Sequence, residues 1–401
     1  MQHRHVFVFR VLAACVWGIS LCAPWDASAD TQYFPIPSVS STRNDGSDVG
    51  LIVPILHSDQ EGELKNLFAP MLIQNSIVGT RGALNWFHYE PGNRQLRMVA
   101  SLTERIERKL VFSYMDPAFS NGRYSLNLGA QFFKNATSRF FGLGERTLEQ
   151  DETNYTAREI RADWRFGVHV NEVTQISVGQ RFRQVRLERG ATDLPFTKEV
   201  FPDVPGVQGE AMIIGHRATF YYDTRNSLVT PTEGMAVTAY AEINQNVRNS
   251  DHPVYSRYEI EVKKLFPSES KRAILVVRGN LQATIGTDVP FYEQSSLGGQ
   301  NNLRGFGQDR YIDKHLIAFS VEERIHMLRT KIAGVTADFE IATFLDTGQV
   351  FNSYTDLSFK DYRMTPGIGF RGIVRPNVVG RVDYGYSREG GAIFAGLDFP
   401  Y

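Results

Sequence analysis

The chain has 401 residues, with 43 basic and 44 acidic side chains and a net charge of −1. That balance lacks the basic excess of a nucleic-acid binder, so no nucleic-acid partner is expected. No apolar run beyond residue 30 approaches the about 20 residues a membrane helix needs, although strands that alternate lipid-facing and water-facing residues escape that test.

In chain order, the first element is an export signal. Arg4 and Arg10 supply a positive start, Val11–Trp25 is mostly apolar, and Ala27-Ser28-Ala29 is a small-residue cleavage site. Pro24 and Asp26 argue against a membrane helix. Leu12-Ala13-Ala14-Cys15 resembles a lipoprotein signal, but Arg10 interrupts the apolar stretch before it and simple cleavage is preferred. Both cysteines, Cys15 and Cys22, lie in this segment. The exported chain can therefore hold no disulfide and no thiolate metal site. A sheet closed on itself is one way to be stable without them, because every strand edge is then paired.

Three parts are expected: a signal at 1–29, a short proline- and serine-rich periplasmic leader at 30–46, and a barrel at 47–401. From Ser47 the chain reads as strand, turn, strand to its end. In 271–286, Ala273, Leu275, Val277, Leu281, Ala283 and Ile285 share one face, opposite Arg278, Asn280, Gln282 and Thr284. In 332–348, Val335, Ala337, Phe339, Ile341 and Leu345 oppose Thr336, Asp338, Glu340 and Asp346. In 377–388, Val378, Val382, Tyr384 and Tyr386 oppose Arg381, Asp383 and Ser387. A soluble sandwich would alternate in the same way. Polar faces carrying both signs of charge favour a water-filled lumen. Aromatic pairs near strand ends, Trp86-Phe87, Phe132-Phe133, Phe140-Phe141 and Tyr221-Tyr222, fit an interfacial girdle.

Short links (90–93, 170–172, 375–377) alternate with long ones (140–153, 188–209, 287–310), as short periplasmic turns alternate with long outer loops. Counting hairpins gives roughly 16 strands, an even number as in bacterial barrels. The alternation is blurred between residues 60 and 120. From Ile393 the odd positions are apolar and the chain ends on an aromatic. Gly396, Phe399 and Tyr401 therefore read as a C-terminal assembly signal.

Three motifs then carry a family resemblance. Leu303-Arg304-Gly305-Phe306 follows the glycine-rich Gly298-Gly299-Gln300-Asn301-Asn302. Tyr222-Asp223-Thr224-Arg225 precedes Pro231-Thr232-Glu233-Gly234, and Phe344-Leu345-Asp346-Thr347-Gly348 comes third. Phe141-Gly142-Leu143-Gly144 and Glu322-Glu323-Arg324 add support. In this order they resemble the BamA/TamA superfamily, also called the bacterial surface antigen family. The resemblance implies an all-β, closed antiparallel transmembrane barrel of about 16 strands whose sixth outer loop folds into the lumen. It further implies that the loop's arginine, here Arg304 beside Gly305 and Phe306, meets inner-wall acids, with Glu322 and Asp346 as partners. A planar guanidinium binds carboxylates through two parallel bonds and stays charged at any relevant pH. Asp223, Arg225, Pro231 and Gly234 read as a shaped periplasmic turn.

Members such as BamA and TamA carry periplasmic POTRA domains, and the short 30–46 leader is expected to hold none. The function expected is that of an integral outer-membrane barrel of a Gram-negative envelope, acting in outer-membrane protein insertion, assembly or translocation. Its partners would be outer-membrane lipids, the barrel assembly machinery for its own insertion, and client outer-membrane proteins. The alternative is a surface-binding or channel barrel without assembly activity. An enzyme is not expected. His216, His252, His315 and His326 are scattered, forming no catalytic or metal-ligand set, and no cofactor or metal is implied.

Overall fold

The computed structural model describes residues 31–33, 35–248, 253–332, 335–374, 378–396 and 399–400. The export signal and Tyr401 lie outside the described residues. The described chain is an all-β, closed antiparallel barrel of 18 strands. In chain order these are β1 (Ile36–Thr42), β2 (Gly46–Ile52), β3 (Leu64–Asn75), β4 (Gly79–Glu90), β5 (Arg94–Thr103) and β6 (Arg108–Phe119). Six longer strands follow: β7 (Tyr124–Phe140), β8 (Thr153–Asn171), β9 (Thr174–Arg189), β10 (Glu210–Asp223), β11 (Gly234–Asn246) and β12 (Val254–Pro267). The circuit is completed by β13 (Ala273–Ile285), β14 (His315–Ile332), β15 (Val335–Phe351), β16 (Arg363–Val374), β17 (Val378–Ser387) and β18 (Gly390–Gly396). Thr31–Tyr33 leads into β1 and Ile55–Ser58 extends β2, each paired with the other. Every strand pairs with its sequence neighbours, and β18 returns to β1.

The residues form this sheet because their two faces differ in solvent. On β13, Leu275, Val277, Leu281 and Ile285 are 40%, 37%, 46% and 56% exposed, while Arg278, Asn280 and Thr284 between them are 7%, 2% and 2% exposed. A soluble sandwich would bury the first set. Here the apolar face points out and the polar face in, the arrangement of a wall with hydrocarbon outside and a polar interior. No described helix is long and apolar enough to cross a membrane.

The count of 18 corrects the expected 16. The segment 30–46 is not a bare leader, since β1 lies in it and pairs with β2 from Ile36↔Ile52 to Thr42↔Gly46. Between residues 60 and 120 the chain makes four strands, β3 to β6, of 10 to 12 residues each. The four longest connections, 141–152, 190–209, 286–314 and 352–362, all fall at one end. With 18 strands, 286–314 is the seventh connection at that end, not the sixth. Phe140-Phe141 is not part of a girdle. Both rings are buried, and Phe140 stacks edge-on to Phe201 at 5.1 Å and lies 4.5 Å from Phe291 of the long connection. The described part of the final strand is Gly390–Gly396, and the Phe399 ring lies 3.6 Å from the Arg324 guanidinium.

Candidate functional site

The connection 286–314 carries the Arg304-Gly305-Phe306 motif and meets the barrel wall at two places of opposite charge. At the first, Arg304 is fully buried. Its Nε and Nη2 donate to the two oxygens of Asp346 at 2.8 and 2.9 Å, and its Nη1 donates to Glu322 Oε2 at 2.6 Å. The Arg304 amide adds a 3.2 Å bond to Asp346. Asp383 Oδ1 stands 3.7 Å from Nη1, and the guanidinium lies over the Phe344 ring at 3.4 Å.

The wall supplies these acids by parity. Glu322 on β14, Asp346 on β15 and Asp383 on β17 are buried, while Val321, Leu345 and Val382 beside them are exposed. Three wall arginines share the same carboxylates. Arg324 Nε bonds Glu322 at 2.8 Å, Arg371 Nη2 stands 2.7 Å from Asp383, and Arg381 Nη1 bonds Asp383 at 2.8 Å. A buried charge is tolerated when it is both paired and hydrogen-bonded; every charge here is paired, while Arg324 Nη1, Arg371 Nε and Asp383 Oδ1 make no hydrogen bond among the described residues.

Two glycines let the connection lie against β17. A side chain at Gly305 would stand 2.5 Å from Thr365 Cγ2 and 2.9 Å from the Tyr386 carbonyl carbon. One at Gly385 would stand 1.7 Å from the Arg304 carbonyl oxygen. Phe306 is buried with Leu297, Leu303, Tyr311, Leu316, Ala318 and Val350, its ring edge-on to Tyr311 at 5.6 Å. Arg304, Gly305, Phe306, Glu322 and Asp346 are thus brought together, and Gly385, Asp383 and Phe344 complete the site.

The second attachment has the opposite sign. Glu293, in a short turn at Phe291–Glu293, is fully buried. Arg181 on β9 donates to both its oxygens, at 2.9 and 2.7 Å, and Arg183 Nη1 donates at 2.6 Å. From β12, the Tyr255 hydroxyl donates at 3.1 Å and Arg257 at 3.4 Å. Burial by itself would raise this carboxyl, but Arg181 and Arg183 outweigh it and hold it well below the usual carboxylate range. Sequence reading missed Glu293 because no motif marks it. The available signal was the inward stripe of Arg181 and Arg183 on β9 facing Tyr255 and Arg257 on β12, which requires an anion between them. A bond from Arg278 Nη1 on β13 to the Asn301 carbonyl, 2.9 Å long, lies along the connection between the two attachments.

The neighbouring connection 141–152 covers the same region. Glu145 accepts from the Val350 amide at 2.9 Å and from Arg363 Nε at 2.5 Å, and burial pushes its carboxyl up to about 7. Arg310 bonds Glu389 at 2.9 Å and lies over the rings of Phe141 and Tyr311.

The remaining motif residues lie elsewhere. Arg225 forks onto Asp223 with bonds of 2.9 and 2.6 Å at the end bearing the shorter turns. Pro231 is buried in the same turn, and Gly234 adopts φ +105 with its α-carbon against the Thr224 carbonyl, where a side chain would stand at 2.4 Å. Gly396 closes β18 and Phe399 rests on Arg324. The turn motif lies apart from the Arg304 site, whereas Phe399 covers Arg324, one of the arginines that share Glu322 with Arg304. Closure of the barrel is narrow. Among the described residues, β1 and β18 share one register pair, Ser41↔Ile393, whereas β17 and β18 pair at every position from Arg381↔Gly396 to Ser387↔Gly390.

No curated protein matches the chain by sequence. Among solved structures it is similar to BamA from Haemophilus ducreyi lacking POTRA domains 1–3, with 15% identity and a TM-score of 0.57 over 91% of this chain and 75% of that one. CdiB from Acinetobacter baumannii also matches, with 13% identity and a TM-score of 0.49 over 93% of this chain and 66% of that one. The likeness to the BamA structure is one of fold. The model of the Omp85 superfamily domain matches residues 92–386, well over half of the sequence. The chain therefore belongs to the Omp85 superfamily.

Proposed function

We propose that the protein is an integral barrel of a Gram-negative outer membrane that acts in the insertion, assembly or translocation of other outer-membrane proteins. The observation that carries the reading is the narrow β1–β18 junction. Among the described residues this seam has fewer register pairs than any junction of successive strands, and at about 0.5–1.5 kcal/mol net per ladder bond it is the one that separates at least cost. An opened seam offers two unpaired edges on which an incoming strand can template.

In this reading the connection 286–314 is docked inside the lumen, held at Arg304 by acids and at Glu293 by bases. Two attachments of opposite sign fix its position, which is the best-attested use of buried ion pairs. The second reading, a surface-binding or channel barrel, is favoured by the length of the connections gathered at one end.

The barrel has no cysteine of its own, because Cys15 and Cys22 both precede it. A Ser41→Cys/Ile393→Cys pair therefore tests the seam cleanly. Under oxidation in the native host, the paired variant should deplete other barrels from the outer membrane, with recovery on reduction, while either single variant behaves as wild type. An unchanged inventory of outer-membrane proteins with the seam demonstrably cross-linked would remove insertion through the seam and leave the binding or channel reading.

A further inference from the structure

On the outward face of β6 to β9, four cations stand directly opposite one another across three successive strand junctions. The register pairs are Arg108↔Lys134, Lys134↔Arg158 and Arg158↔Arg186. Their outward direction follows from parity. Ile160 and Trp164 on β8 share the face of Arg158 and are exposed, Val185 and Leu187 flanking Arg186 are buried inward, and Phe133 beside Lys134 lies under the inward Arg161.

On each strand the cation borders an apolar run on its short-turn side. Leu110 and Phe112 adjoin Arg108, Phe132 and Leu128 adjoin Lys134, and Ile160 and Trp164 adjoin Arg158. On β9, Phe182 and Val178 lie below Arg186 on the same face. The row therefore marks where the apolar belt ends and the long-connection end begins.

Like charges directly opposite in a ladder, about 4.5–5.5 Å apart at Cβ, are destabilising. Two nearby carboxylates, Glu188 and Glu210, offset the four cations only in part. Glu188 stands 2.8 Å from Lys134 and 3.8 Å from Arg158. Glu210, opposite Arg186 in register, accepts from Gln184 at 2.5 Å and pairs with Arg248 at 3.2 Å. Arg108 donates to the carbonyls of Thr103 and Glu107. Arg189 and Glu199 close on each other, and Lys198 adds a further cation near Arg186. Among the described residues no carboxylate lies within 4 Å of the Arg186 guanidinium. Four cations therefore face two carboxylates, one of them shared with Arg248, and the row keeps an excess of positive charge.

We infer that this row binds the phosphate-bearing headgroup of a lipid in the leaflet at the long-connection end. The inference rests on the membrane placement proposed above and goes beyond it by naming a lipid class and a site. A lipid is the fitting source because the apolar belt and the cations are continuous on one face. Acyl chains would lie along Phe132, Ile160 and Phe182, and phosphate oxygens would reach Lys134, Arg158 and Arg186. Arginine suits this task, since its fork matches phosphate geometry and is weakly hydrated.

The full-length barrel in dodecylmaltoside micelles can be titrated with diphosphorylated lipid A and with its dephosphorylated form, and bound lipid read by native mass spectrometry. The phosphorylated lipid should bind, and the dephosphorylated form should bind at least tenfold more weakly, a difference of about 1.4 kcal/mol. That comparison requires no variant. Arg158→Gln/Arg186→Gln should lose the preference, while Lys264→Gln, near the other end, should keep it. Equal binding of the two lipids, or an unchanged preference in the double variant, overturns the proposal. Full competition by inorganic phosphate also overturns it, since the site would then be one for the free ion. Membrane integration is scored separately by heat-modifiable migration and flotation with vesicles, so failure of the placement is distinguishable from failure of the lipid site.

Discussion

Replacing Arg304 by lysine keeps the charge and removes the fork, which separates electrostatics from geometry at this position. A lysine ammonium cannot hold both oxygens of Asp346 while donating to Glu322, as Nε, Nη2 and Nη1 do here. Arg304→Ala goes further and leaves buried carboxylates without that partner, a change that costs about 3–5 kcal/mol when a buried pair is broken. Both variants should make 286–314 more accessible to protease added to intact cells, alanine more than lysine. Wild-type cleavage in both would show that the contact does not position the connection. Gly385 makes an independent case, because no side chain fits 1.7 Å from the Arg304 carbonyl oxygen. Gly385→Ala should lower stability by about 1–3 kcal/mol, the usual cost of overpacking, read as an earlier loss of the heat-modifiable folded band. The fork on Asp346 was legible in the sequence because Arg304, Glu322 and Asp346 sit in motifs of fixed order. Gly385 and Asp383 were not, since a glycine and an acid on an ordinary strand become special only when another segment lies on them.

The long connection and its neighbour 141–152 are held by carboxyl groups that respond to pH in opposite senses. Glu293 has its folded value held well below 4.5, so its contribution is present above the unfolded value and is lost only as pH falls through the lowered one. Glu145 is raised to about 7, so its contribution is full below the unfolded value and is lost as pH rises through about 7. Between pH 6 and pH 8, protection factors corrected for the intrinsic exchange rate should therefore fall in 141–152 and stay unchanged around Phe291–Glu293. A fall in both segments would refute the assignment of Glu293 as the acid-resistant attachment. Glu293→Gln should loosen 286–314 at every pH, because Arg181, Arg183 and Arg257 then face a neutral amide. At the scale of elements, alternation gave the right faces on β13, β15 and β17. It failed in 30–46, where β1 is short and proline-containing, and in 60–120, where apolar Ala69, Ile73 and Val99 are buried on the inward face beside exposed Leu72 and Met98 and blur the alternation.

For the barrel as one object, a connection tied to the wall at two opposite charges predicts a small conductance in planar bilayers. Arg304→Ala combined with Glu293→Gln should raise the current several-fold, and each single change should raise it less, because one attachment remains. A wild-type pore already wide open would exclude a docked connection. What the sequence determined by itself was the inverted wall, with apolar and charged residues alternating every second position, and the family motif around Arg304, because both are local patterns that survive without knowledge of partners. Strand number, the narrow Ser41↔Ile393 closure, the Glu293 attachment and the cation row on β6 to β9 were decided only by the tertiary structure. Each depends on register between segments tens to hundreds of residues apart, and register is a property of paired strands that no single strand carries.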